Sequence, residues 1–291
     1  MKFWANFLRN TFKLLAQPLL SRVRPKLIES VLARSIPMLD PDMISEIREF
    51  IIRNQTPEGG FCDRAGKCDL YYSLFGWYLA ESLSVAEVVA PLRNYVATAV
   101  TAKRLSGVDR YCGAILYAKL IGLDGTTEEL RKCIVDDLTQ ASSNQAGYSG
   151  FLGLLALYYL EDYPHVLSFA ARYGRAYPLN DHPCPVVAAT AVIQGITGKR
   201  KLEAIDILKT YYRGNGGFAA LHRTPSEDLL STGVALYALQ FLGADLRLIK
   251  PDCLAFVDGL YDGGGFRAVD IDSVSDVEYT FYGLLALGSL R

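Results

Sequence analysis

The chain is short of histidine, of net charge and of long apolar runs. Three histidines, His165, His182 and His222, are spread over 291 residues, which leaves few imidazoles for a catalytic metal. The formal net charge is -1 and no basic stripe covers the body, which argues against a nucleic-acid partner. No apolar run is long enough to span a bilayer. No stretch alternates at strand period for long enough to build a sheet. No linker or break in composition divides residues 31–291, so they read as one domain.

Apolar and aromatic residues are plentiful instead. Hydrophobic residues make up 51% and aromatics 11%, with 18 tyrosines, enough to bury a large core and still line a cavity. Six cysteines are scattered at Cys62, Cys68, Cys112, Cys133, Cys184 and Cys253. With no secretory leader before them, the expectation is reduced, mostly buried thiols in a cytoplasmic protein. Cys62 and Cys68 share a loop, but only Asp63 and Asp69 stand nearby, too few donors for a structural zinc.

Residues 1–30 form a segment of their own. Lys2, Arg9, Lys13, Arg22, Arg24 and Lys26 carry charge, and no acid precedes Glu29. Phe3, Trp4, Phe7, Leu8, Phe12, Leu15 and Leu19 fall roughly on one helical face. Arg9 comes too early for a signal-peptide core. A basic amphipathic helix of this kind suits peripheral contact with an anionic membrane through residues 1–27. It equally suits a helix packed on the body with its lysines solvated, and the two can alternate.

The body repeats. Gly59-Gly60-Phe61 is followed by Asp69 and an apolar run to residue 80. Gly216-Gly217-Phe218 is followed by Asp228 and a run to residue 239, and Gly264-Gly265-Phe266 by Asp276 and a run to residue 287. The glycine pair permits a turn with positive φ, and the aspartate is a good N-cap. A helix that is apolar nearly all round is buried. Weaker units start at Asp109, Tyr148 and Cys184, so the six starts at 69, 109, 148, 184, 228 and 276 lie 36 to 48 residues apart. More polar, amphipathic stretches precede the buried ones, as at residues 41–52, 127–137 and 201–212. The pattern predicts an all-α fold, an α/α toroid of about six helical hairpins with an outer and an inner ring around a central cavity.

These residues resemble the prenyltransferase and squalene-cyclase repeat family. Gln55-Thr56-Pro57-Glu58-Gly59-Gly60-Phe61 is similar to its glutamine-tryptophan motif, with Phe61 in the tryptophan place. The resemblance covers nearly everything after residue 40. It implies a toroid with its chemistry near the N-terminal ends of the inner helices. In the zinc-dependent branch it implies an Asp, a Cys two residues on and a His in the last repeat. Here those positions hold Asp228, Leu230 and Tyr279, so two ligands are missing and no metal or other cofactor is expected. The metal-free branch resembles class II terpene cyclases, in which a protonated Asp starts cyclisation and aromatic faces stabilise the carbocation. Asp270-Ile271-Asp272-Ser273 matches the acid motif of the large two-domain cyclases poorly. By length the chain is more similar to single-domain cyclases of the merosterolic acid synthase type.

Among the aspartates that open inner helices, Asp109 alone follows no Gly-Gly-Phe loop. A carboxyl group after the mostly apolar Leu105-Ser106-Gly107-Val108 is expected to be poorly solvated and to hold its proton, with Tyr111 and Cys112 tuning it. The alternative is a plain N-cap paired with Arg110. Tyr71, Tyr72, Phe75, Tyr148, Phe151 and Tyr279 lie near inner-helix starts and can offer π-faces to a cation, although aromatics at helical spacing also serve as core. Arg110 and His182 are the candidates for contact with a polar head, His182 sitting in the proline-rich break of residues 177–185. The leading expectation is a cyclase acting on an isoprenoid small molecule, with or without an aromatic head. Zinc-independent prenyl transfer and a non-catalytic lipid-binding or scaffold toroid are the alternatives.

Overall fold

The computed structural model describes residues 17–102, 105–141, 147–176, 179, 182–198 and 201–291. Residues 1–16 and the Leu19 side chain, which carry most of the expected amphipathic face, lie outside it. A short helix α1 (Gln17–Val23) and α2 (Ile28–Ser35) lead into twelve helices that alternate between two rings. The outer ring is α3 (Pro41–Asn54), α5 (Val89–Ala102), α7 (Gly125–Gln140), α9 (Tyr163–Ala176), α11 (Lys201–Lys209) and α13 (Lys250–Gly259). The inner ring is α4 (Leu70–Leu83), α6 (Gly107–Leu120), α8 (Gly147–Tyr159), α10 (Cys184–Thr197), α12 (Leu229–Leu242) and α14 (Val277–Leu290). Each inner helix packs on the next, and α14 returns to α4, so the ring closes. This is the expected all-α toroid.

Local chemistry places each helix. α3 starts at Asp40, whose carboxylate accepts the Met43 amide, with Pro41 preset for the first turn. It buries Ile47, Phe50 and Ile51 and turns charge outward. α14 starts at Asp276, which accepts the Tyr279 amide, and nearly all of its later residues are buried. The Gly-Gly-Phe units share one further bond. The amides of Phe61, Phe218 and Phe266 donate to Ser73 Oγ, Thr232 Oγ1 and Thr280 Oγ1, at 2.9–3.1 Å, tying each loop to its inner helix.

The loops also join neighbouring hairpins. Gly216 has φ +98°, and a Cβ there would lie 2.0 Å from the Asp252 carbonyl oxygen on α13. Gly264 has φ +94°, and its Cβ would lie 2.5 Å from the Glu46 carbonyl oxygen on α3. The second contact joins the last repeat to the first. Only a residue without a side chain permits both the dihedral and the approach.

The loops hold two small ribbons that period-two patterning did not reveal. β1 (Phe61–Cys62) pairs with β2 (Cys68–Asp69), and β3 (Tyr261–Asp262), β4 (Gly265–Arg267) and β5 (Ser275–Asp276) form a second. The first corrects the expectation of six reduced thiols. Antiparallel register sets Cys62 opposite Cys68, and the two are joined in a disulfide. Cys112, Cys184 and Cys253 are free and buried, whereas Cys133 is exposed. No helix among the described residues is long and apolar enough to cross a membrane.

Gly216→Ala should destabilise the fold by at least ~2 kcal/mol, since a strained dihedral and a backbone clash coincide. Gly66, at φ +79° with nothing within 4 Å of its would-be Cβ, isolates the dihedral cost; Gly66→Ala should lose about 1 kcal/mol. Urea unfolding of the two variants measures the difference. Equal losses would show that the approach to α13 is not a constraint.

Candidate active site

One face of α14 carries Glu278, Tyr282 and Leu285 at i, i+4 and i+7, so these side chains stack in a stripe. Tyr282 and Leu285 line a central cavity of about 50 Å³. Its other walls are Leu74, Phe75 and Tyr78 of α4, Tyr148, Phe151, Leu152 and Leu155 of α8, and Val234 and Tyr237 of α12; Ile28 of α2 closes one end. The rings interlock edge to face. Tyr71 and Phe75 have centroids 4.7 Å apart, and Phe75 and Phe281 4.9 Å. A second apolar cavity of similar size shares Phe151, Leu155 and Tyr237 and runs outward beneath Val23 and Leu27.

Glu278 stands at the head of the stripe, 8% exposed. Tyr71 Oη donates to Glu278 Oε1 and Tyr72 Oη to Oε2, both at 3.0 Å. Tyr148 Oη donates in turn to Tyr71 Oη at 3.2 Å, and the Tyr282 hydroxyl adjoins both. Burial pushes the Glu278 carboxyl above the usual range. The two phenols pull it back, Asp276 adds to the rise, and Arg64 opposes it. Desolvation wins, so this acid holds its proton more tightly than a solvated one. Burial also raises the Tyr71, Tyr72, Tyr148 and Tyr282 phenols, so they stay protonated donors.

Arg64 closes the rim. It bonds Asp276, Asp272 at 2.6 Å and the Val274 carbonyl, and its guanidinium lies 5.1 Å from the Tyr279 ring centroid. The ribbon of the first repeat is thereby fastened to the last repeat beside Glu278.

The sequence-predicted residues divide. Tyr71, Tyr72 and Tyr148 converge on Glu278, Phe75 and Phe151 line the cavity, and Tyr279 sits at the rim under Arg64. Asp109 lies elsewhere. α6 begins at Gly107 with Ser106 at its N-cap, so Asp109 falls inside the first turn, where it is only partly buried. The expectation of an N-cap is therefore corrected. The cap falls three residues earlier than the repeat suggests, and Asp109 neighbours Asp69, Tyr95 and Cys112 without being among the residues that line the cavity. Arg110 does not pair with it. Its guanidinium holds the Leu105 carbonyl and Asp137 on α7. Tyr111 is buried, its phenol pushed up to about 12 mainly by burial. Cys112 is buried near Tyr148, and burial raises its thiol. His182 precedes α10, where its carbonyl accepts the Tyr211 hydroxyl, and it does not line the cavity. Glu278, Tyr282 and Phe281 escaped the sequence reading. The available signal was a lone carboxylate near the start of a helix otherwise apolar all round.

A family model for the prenyltransferase alpha-alpha toroid domain matches residues 27–104 and 186–290. The chain belongs to that family. The two matched blocks contain all three Gly-Gly-Phe units, and the unmatched middle is the stretch of weaker repeats. No curated protein matches the chain. Membership supports enzymatic prenyl chemistry. The zinc known in one branch of this toroid family does not fit the residues present. Asp228 spends one oxygen on the Ser231 amide and the other on the Ser231 hydroxyl, at 2.7 and 2.8 Å, while Leu230 and Tyr279 offer no ligand equivalent to Cys or His.

The raised Glu278 carboxyl sets a pH signature. Its folded pKa lies above the unfolded value of 4.5, so the native state binds more protons in the window above 4.5. Stability from this group is full below that window and is lost as pH rises through the folded pKa. Glu278→Gln should remove this loss, making the variant relatively more stable toward neutral pH. Urea unfolding of both proteins from pH 4 upward measures it, and a constant gap between the curves would count against a raised pKa.

Proposed function

We propose that this prenyltransferase-family toroid is a class II terpene cyclase in which Glu278 is the general acid. The observation that carries the reading is a buried carboxyl group held by Tyr71 and Tyr72 at the head of an aromatic cavity. The Glu278 O–H bond breaks as a terminal alkene of the prenyl chain supplies the electron pair for a new C–H bond. The carbocation left behind meets the faces of Phe75, Phe281 and Tyr282, which can stabilise a desolvated cation by ~2 kcal/mol or more. The proton lost when the last cation collapses to an alkene restores the acid, so no cofactor is consumed.

Prenyl transfer fits the site less well. A diphosphate requires cations, and the central cavity is lined by no Lys or Arg. A binding-only toroid draws support from the narrowness of the cavity, where about 50 Å³ holds a few waters but not a prenyl chain. In the cyclase reading the chain enters as Phe151, Leu155 and Tyr237 rotate and join the two cavities. Residues 1–27 would help the enzyme draw its substrate from a membrane surface.

Incubation with squalene, geranylgeraniol and prenylated hydroquinones, with products followed by mass spectrometry, tests the proposal. Glu278→Gln should lower turnover by at least ~100-fold, the usual scale for a lost general acid, and Asp109→Asn should leave it within a few-fold. The reverse ranking would return the acid to Asp109. Tight binding without any product from the wild type would favour the binding-only reading.

A further inference from the structure

The ribbon that carries Arg64 is closed at its base by the Cys62–Cys68 disulfide. Its strands have two residues each, and so short a hairpin is marginal in water without further support. At the tip the Asp63 carboxylate accepts the Ala65 and Lys67 amides at 2.9 and 2.8 Å. Residues 64–67 are exposed and both cysteines are partly so, which leaves the ribbon open to a dissolved thiol. From this ribbon Arg64 reaches the last repeat, where it bonds Asp272, Asp276 and the Val274 carbonyl. The loop it grips gains little from burial, since Ile271 is 94% exposed. Arg267 holds the Asp270 and Asp272 carbonyls from within the same repeat, and Arg64 holds the loop from across the ring. The grip lies beside the acid. Asp276 caps the helix that carries Glu278, and Asp63 and Asp276 both act on Tyr72, the phenol bonded to Glu278 Oε2.

A disulfide limits the conformations open to the segment it closes. With that bond broken, the segment from Cys62 to Cys68 must be ordered afresh to keep Arg64 in place, and conformational entropy opposes it. We propose that the Cys62–Cys68 ribbon is a redox-operated latch. Oxidised, it holds Arg64 on the loop of residues 270–276 beside Glu278; reduced by a dithiol, it lets that loop go. In the reduction a thiolate of the dithiol attacks one ribbon sulfur, and the S–S bond breaks to give a mixed disulfide and one free cysteine. The second thiol closes on the first and releases the other cysteine. The ribbon gains two electrons and two protons, and the dithiol leaves as its cyclic disulfide. Release of Arg64 also leaves Asp276 unopposed beside Glu278. The latch is independent of the isoprenoid reading, since it acts on the rim whatever the cavity holds.

The test uses the full chain with and without dithiothreitol. Alkylation of the native protein, followed by mass spectrometry, should modify Cys133 alone before reduction, and Cys133, Cys62 and Cys68 after it. Hydrogen exchange in peptides covering residues 270–276 should quicken about tenfold on reduction and return on reoxidation. Arg64→Gln should show the fast exchange while still oxidised, and reduction should then add less than about twofold. The double variant Cys62→Ser, Cys68→Ser should match the reduced wild type with or without reductant. The wild-type comparison stands even where a variant fails to fold. Alkylation of Cys62 and Cys68 without reductant overturns the latch. So does unchanged exchange at residues 270–276 on reduction, a loss of protection throughout α14, or an equal response to reduction in Arg64→Gln.

Discussion

Ring closure depends on backbone meeting backbone. A helical hairpin cannot bury its apolar inner helix alone, so each must be covered by its neighbours. The glycine pairs make that covering close. At Gly216 and Gly264 the chain turns with positive φ and comes to rest on a carbonyl of a neighbouring outer helix, where no Cβ fits. The contact made by Gly264 returns to α3, so the last hairpin is held to the first. α14 itself is covered by α12, α2 and α4, which leaves Glu278 between α14 and the tyrosines of α4.

The same closure explains how Glu278 becomes an unusual acid. Its hydrogen-bond partners come from α4, some two hundred residues earlier in the chain, and Arg64 of the first repeat neutralises the neighbouring Asp272 and Asp276. Arg64 thus serves the charges at the rim and leaves Glu278 to two neutral phenols. A phenol stabilises a carboxylate less than a guanidinium does, so burial prevails and the carboxyl pKa is raised.

The fold was legible in the sequence because its determinants are local and repeated. Gly216-Gly217-Phe218 with Asp228 sets turn, close approach and cap within a dozen residues, and the same signs recur twice. The site was legible only in part. Tyr71, Tyr72, Phe75, Tyr148 and Phe151 could be marked as aromatics near helix starts, which is where the cavity lies. The acid could not be placed, since a helix apolar all round gives no sign of which side faces the ring centre. Tyr282 and Leu285 line the cavity, and Glu278 on the same stripe turns to Tyr71 and Tyr72 of α4. Asp109 looked like a helix opener because the repeat spacing put it there, but Ser106 caps α6 and leaves Asp109 inside the first turn. The Cys62–Cys68 pairing was hidden for a related reason, since ribbon register is a product of the loop as a whole.

The N-terminal segment gives the ring its polarity. Lys26 donates to the Phe241 carbonyl near the end of α12, where a cation also meets the negative end of the helix dipole. Arg34 Nε does the same for the Gly288 carbonyl near the end of α14, at 3.1 Å. Glu29 ties α2 to α6 and α8 through Lys119 and Tyr159. All of these contacts are made at the C-terminal ends of inner helices, and Ile28 fills the cavity from that side. The opposite ends, where Tyr71, Tyr72, Tyr148 and Tyr279 remain partly accessible, carry the acid. One end of the toroid is thus sealed by charge and backbone, and the other is dressed in phenols. Glu278 lies toward the phenol side and the sealed floor lies opposite, an order fixed by which helix ends α2 covers.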